Sequence, residues 1–99
     1  MLYAIIWQDV VNSLALRQSV RGAHLQRINV LIAEGRLVVG GPFPAIDTMD
    51  PGSAGFTGSL IIADFPSQMD AANWIADDPY MTSGVISSLT VKPFIQVVP

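Results

Sequence analysis

The chain of 99 residues contains no cysteine and a single histidine. Without thiols there is no disulfide, no thiolate nucleophile and no iron-sulfur or structural zinc cluster of the usual kind, and one imidazole cannot build a two-histidine metal triad. Charge is also scarce, at 13% of residues against roughly 25% in an ordinary soluble domain. Five cationic residues face eight anionic ones, for a net charge of −3. The basic footprint that a phosphate backbone demands is therefore missing, and no nucleic-acid partner is expected. No apolar run approaches the roughly 18 residues that span a bilayer, so no membrane partner is expected either. Met1-Leu2-Tyr3-Ala4-Ile5 has no cationic stretch before its apolar residues, which reads as a cytoplasmic, unprocessed chain. At this length one core, and so one domain over residues 1–99, is all that can be built.

What is abundant is apolar surface, 51% of residues. Leu2 to Gln8 is rich in branched and aromatic residues and reads as a strand with two apolar faces, Leu2, Ala4, Ile6 and Tyr3, Ile5, Trp7. Asn12 to about Ala33 holds no proline and only Gly22, and reads as a long helix with Asn12 or Ser13 as cap, Gly22 as the place for a bend, and Glu34-Gly35 as a left-handed stop. Arg36 to Gly40 is a short strand that is expected to end at Gly40-Gly41-Pro42. Phe43 to Gly58 carries turn chemistry throughout, and Thr57 to Phe65 is a third strand. Ser67 caps a second helix, with Asp70 in the capping-box place, running to about Asp77. Asp78-Pro79 disfavours further helix at residue 78, and Val85 to Phe94 is the last strand, with Pro93 near an edge or its end.

The order β-α-β-β-α-β predicts an α+β, ferredoxin-like βαββαβ fold, a four-stranded antiparallel sheet with two helices on one face. The other face would expose more apolar surface than the few hundred Å² a soluble monomer tolerates. A homodimer packed sheet to sheet resolves this.

Leu14, Leu25, Ile28 and Ile32 gather on one stripe of the first helix, with Leu31 at its edge. Arg17, Arg21 and His24 fall on or inside the same sector. Charges there must be paired, hydrated in a cleft or used to hold an anion, unless the arginines lie at the end of the stripe, reach solvent and pair with nearby Asp. His24, the only imidazole, suits a general base at neutral pH, the alternative being a core histidine satisfied by a backbone carbonyl. Among the acids that could orient it, Asp77 and Asp78 lie at an element end, although Asp-Pro is equally plain turn chemistry. Gly52 to Gly58 looks superficially like a phosphate loop, but a strand rather than a helix follows it. Gly40-Gly41-Pro42 can let a ligand approach backbone closely, and Trp7, Tyr3 and Tyr80 are candidates to line an apolar pocket.

Taken in order, Arg17, Arg21, His24-Leu25, Glu34-Gly35-Arg36-Leu37, Gly41-Pro42, Gly55-Phe56-Thr57-Gly58, Asp78-Pro79-Tyr80 and Val91-Lys92-Pro93-Phe94 resemble the YciI family, or YCII-related domain, over nearly the whole chain. The resemblance implies a dimeric α+β barrel and a cleft where a His and an Asp meet, positions matched by His24 and Asp78. It also implies small-molecule chemistry, since some relatives are lyases acting on chlorinated aromatic intermediates. Gly22 stands where the family often has Pro, and Ile86 and Ser87 where Tyr or Glu is common. The expected function is cofactor-independent proton transfer, with no metal, in the elimination or isomerisation of a cyclic or aromatic acid. His24 and Asp78 would be catalytic. Arg17, Arg21, Gly41, Pro42 and Tyr80 would bind a small anionic or aromatic molecule. The alternative is a non-catalytic dimer that binds or senses such a ligand.

Overall fold

The computed structural model describes residues 1–99. The elements in chain order are β1 (Leu2–Asp9), α1 (Leu14–Ala33), β2 (Leu37–Pro44), a 3₁₀ turn (Gly52–Ala54), β3 (Phe56–Asp64), α2 (Gln68–Ala76), α3 (Pro79–Thr82) and β4 (Ile86–Phe94). The strands form one antiparallel sheet in the order β2-β3-β1-β4, the ferredoxin-like arrangement expected from the sequence, with the helices on one face. No helix is long and apolar enough to cross a membrane.

Alternation along the central strand divides the sheet. Tyr3, Ile5, Trp7 and Asp9 of β1 are buried towards the helices. Opposite Tyr3 and Ile5 stand Ala63 and Ile61 of β3, which share that face. Leu31, Ile75 and Val85 close the core from above, and each fully buried aliphatic side chain stabilises the fold by roughly 1.5–3 kcal/mol. Towards the other face point Ile6, Val39 and Phe43, between about a third and a half exposed. Leu60 and Ile62 share it, being in register with Ile6 and Val39.

Two local expectations are corrected, and one turn of helix is added. β2 does not end at Gly40 but runs through Gly41 and Pro42 to Pro44, because as an edge strand it needs no donor from either proline on its outer side, and irregularities after Leu37 and Phe43 absorb the misfit. Ser13 occupies the cap position of α1 without capping: its hydroxyl donates instead to Asp9 at 2.6 Å. Asp78 itself is extended, as expected, and a further turn of helix, α3, follows it, capped by Asp78 accepting from the Tyr80 amide at 2.9 Å. Elsewhere the local chemistry is as expected. Ser67 accepts from the Asp70 amide at the start of α2, and Gly35 ends α1 at φ 70°.

Gly22 and Gly58 differ sharply in what surrounds them. α1 runs unbroken through Gly22, where an added Cβ would meet nothing within 4 Å, whereas at Gly58 it would lie 2.1 Å from the Trp7 carbonyl oxygen. Gly22→Ala is expected to raise stability by about 1 kcal/mol through helix propensity. Gly58→Ala should lower it by about 2–3 kcal/mol by forcing β3 off β1. Urea denaturation of the two variants checks both signs.

Candidate active site

The innermost line of α1 consists of Arg17, His24 and Leu31, spaced seven apart, so two of its three buried residues are polar. The apolar stripe visible in the sequence lies one step round the helix. Leu14, Leu25 and Ile28 are only half-buried and Ile32 is 55% exposed. Ile28 also packs against the core, and the stripe as a whole lines a groove of about 500 Å³ between α1 and the β2–β3 side of the sheet. The groove exists partly because β2 offers little side chain there. Gly40, aligned with buried Ile61, is the glycine on the helix-facing side, while Gly41 aligns with Leu60 and presents backbone only.

His24 enters this groove from α1 with its orientation fixed from behind. Its Nδ1 lies 2.9 and 3.0 Å from the two oxygens of Asp78, a carboxylate with no solvent exposure. The same carboxylate accepts from Arg27 Nη1 and from the Tyr80 amide, each at 2.9 Å. Burial alone would raise the Asp78 pKa. The hydrogen bonds from His24, Tyr80 and Arg27 and the attraction of His24 outweigh burial and hold it below the usual carboxylate range. An ionised carboxylate only accepts, so Nδ1 must carry the proton it donates. Nε2 has no hydrogen bond within the chain, and no buried side-chain nitrogen or oxygen lacks one. Since the ring lines the groove, that nitrogen opens into it. The imidazole is further clamped by Tyr80, stacked on it at 4.1 Å and 12°, and by the edge of Trp7 at 6.1 Å.

The cations divide into held and free. Arg17 is bidentate on buried Asp9, through Nε to Oδ2 and Nη2 to Oδ1, and Nη2 also donates to the Gly58 carbonyl and the Ser59 hydroxyl at 2.9 Å each. Trp7 Nε1 and the Ser13 hydroxyl complete the shell of Asp9. The Arg17 guanidinium also lies over the Phe56 and Tyr80 rings, at 5.3 and 5.1 Å. Its charge is thus largely answered by the protein. Arg21, exposed on the groove wall, makes neither ion pair nor hydrogen bond. Burial raises the Tyr80 pKa despite the nearby charges of Arg17 and Arg21, so its hydroxyl stays protonated.

Of the residues singled out in the sequence, His24, Arg17, Arg21, Gly41, Pro42 and Tyr80 all line the groove, as does Trp7. Asp78 stands behind His24, whereas Tyr3 belongs to the core and Asp77 ends α2. Ser87 is turned away, donating to the Gln8 and Asp9 carbonyls. Sequence reasoning missed Asp9, Arg27 and Ser59. Asp9 was within reach, because continuing the alternation Tyr3, Ile5, Trp7 by one step places a carboxylate on the helix face. Arg27, one turn beyond His24, carried a weaker signal, and Ser59 none. No three His, Cys, Asp or Glu side chains converge as a metal-ligand set.

Comparison with known proteins identifies the family and agrees with the fold. The family model of the YCII-related domain matches residues 1–95. Protein YciI of Escherichia coli is 53% identical over 97 residues, covering 98% of this chain and 99% of that one. A Haemophilus influenzae protein of uncharacterised function is 48% identical over the same shares of the two chains. Among solved structures, 5-chloro-2-hydroxyhydroquinone dehydrochlorinase from Burkholderia phenoliruptrix, in complex with 2,5-dihydroxybenzoquinone, superposes with a TM-score of 0.84. It is 26% identical, over 96% of this chain and 94% of that chain.

The Asp78 cluster makes a signed prediction. A carboxyl whose pKa is depressed by folding stabilises the protein fully above the usual Asp value of about 3.9, and loses that contribution as the pH falls through its lower folded value. Asp78→Asn should therefore cost about 3 kcal/mol at neutral pH, since it strips Arg27 and His24 of their shared partner. The gap to the parent protein should narrow as the pH drops below about 4, as read by urea denaturation across that range.

Proposed function

The chain belongs to the YCII-related domain family, and from that premise we propose that it is a cytoplasmic small-molecule enzyme whose His24–Asp78 pair moves a proton in the elimination or isomerisation of a cyclic or aromatic acid. The observation that carries the reading is the fully buried Asp78 carboxylate on His24 Nδ1, which leaves Nε2 as a lone-pair base facing the groove. Nε2 takes a proton from ring oxygen or carbon as a leaving anion departs. Arg21, the cation without a protein partner, holds the anionic end, and the protonated Tyr80 hydroxyl is available to donate to a ligand oxygen. Arg17 fixes the groove wall. In elimination the proton goes to Nε2 and the anion leaves to solvent, and in isomerisation the proton returns to another ring atom. The protein therefore has only to accept and hold a proton, which suits a site with one imidazole and one buried carboxylate. The structural neighbour that acts on a chlorinated hydroxyhydroquinone supports an aromatic substrate class.

The reading extends to the quaternary state. Ile6, Val39, Phe43, Leu60 and Ile62 form a contiguous apolar half of the sheet face that carries no helices, and a second copy packed against it gives the homodimer. Sedimentation at micromolar concentration should then report twice the 10.6 kDa chain mass. Phe43→Lys should return it to a single copy. A folded parent chain sedimenting as one copy removes the dimer.

Turnover tests the pair directly. With chlorinated hydroxyhydroquinones and halogenated phenolic acids as substrates, His24→Asn should lower kcat by about 10²–10⁴-fold and Asp78→Asn by about 10²-fold. Unaltered turnover in both variants removes the proposed base, and ligand binding without any product in the parent protein reassigns the groove to a sensor.

A further inference from the structure

The groove is larger and longer than one ring needs. A cavity of about 150 Å³ already holds a benzene ring, whereas this one measures about 500 Å³. Its composition is also graded along α1. Gln18, Arg21 and His24 line it over nearly two successive turns, and Ser59 and Tyr80 are the polar lining from other elements. Beyond His24 the wall is apolar throughout, through Leu25 and Ile28 to Ile32, and Leu37 and Ile61 face it from the sheet. From His24 to Ile32 is just over two helical turns, a run of about 12 Å.

Gly40, aligned with buried Ile61 on the helix-facing side of β2, lines the same groove. Nothing in the fold demands glycine there. It has no positive φ, and an added Cβ would make only ordinary contacts, 3.7 Å from Ile61 Cγ1, 3.8 Å from the Leu60 carbonyl and 4.0 Å from Leu37 Cδ1. With no side chain, it leaves the space beside Ile61 and Leu37 open to the groove. We propose that the ligand is an amphipathic carboxylic acid longer than a single ring, with its polar end at Arg21 and His24 and an apolar arm lying along α1 past Gly40 to Ile32. This builds on the small-molecule reading above and adds the size and polarity of the molecule. A free cation with an unbroken apolar wall on its Ile32 side is complementary to that ligand, and leaves the wall beyond His24 uncovered when a single ring is bound.

Isothermal titration with benzoate, 4-butylbenzoate and biphenyl-4-carboxylate tests the arm independently of turnover. The two longer acids should bind the parent protein at least tenfold more tightly than benzoate. In Gly40→Leu, which fills the passage, the ratio of dissociation constants should collapse towards one. Ile32→Glu should do the same, and because Ile32 is exposed it keeps the test open if the first variant folds poorly. Equal affinity for short and long acids, no binding by any of them, or a ratio that survives both variants overturns the proposal. A flat ratio together with a dimer weakened by Ile32→Glu assigns the apolar stripe to subunit contact instead. A flat ratio with turnover lost in His24→Asn removes the arm and keeps the base, and the converse pair of results keeps the arm and removes the base.

Discussion

A carboxylate sealed from water is the costliest group in this small domain, and the surrounding structure is arranged to answer it. Asp78 has no exposure and takes hydrogen bonds from His24, Arg27 and the Tyr80 amide. Two of those donors come from α1 and one from the first turn of α3, so the charge ties the long helix to the segment after α2. Arg27 strengthens the tie by stacking on Trp74 at 4.5 Å and donating to its carbonyl. Asp9 repeats the pattern at the other end of α1, with Arg17, Ser13 and Trp7 around it. α1 is therefore held by two buried ionic anchors rather than by a continuous apolar seam. That frees its apolar stripe to line a groove.

This division also explains what the sequence disclosed and what it concealed. Element order follows from apolar runs and turn residues, which act locally, and the βαββαβ order emerged from them directly. The extension of β2 through Gly41 and Pro42 did not, because an edge strand tolerates residues that a central one excludes, and which strand lies at the edge is a property of the whole sheet. The apolar stripe of α1 was visible, but its role was not. Periodicity identifies a face of a helix and cannot say whether that face meets a core or a cavity. His24 and Asp78 stood out as a lone imidazole and an acid at an element end. Arg27 and Ser59 draw their importance from partners 51 and 42 residues away in the chain, which no spacing rule connects, whereas Asp9, whose partners lie within eight residues, stood one alternation step beyond Trp7.

The polar pair and the apolar side of the groove that it opens into rest on different elements of the fold. The pair depends on α1 and the α3 turn. The dimensions of the groove depend on the outward roll of α1 and on Gly40 in β2. Substitutions in β2 can therefore change which molecules fit without touching the hydrogen bonds that orient the imidazole, whereas any change at Trp74 or Arg27 reaches the base through Asp78.

Both outer strands of the sheet carry imino acids, Pro42 and Pro44 in β2 and Pro93 in β4. None of these can donate a main-chain hydrogen bond, so neither rim offers an uninterrupted row of amides to a strand from another molecule. A chain half of whose residues are apolar is thereby protected from open-ended, fibre-like growth by lateral strand addition.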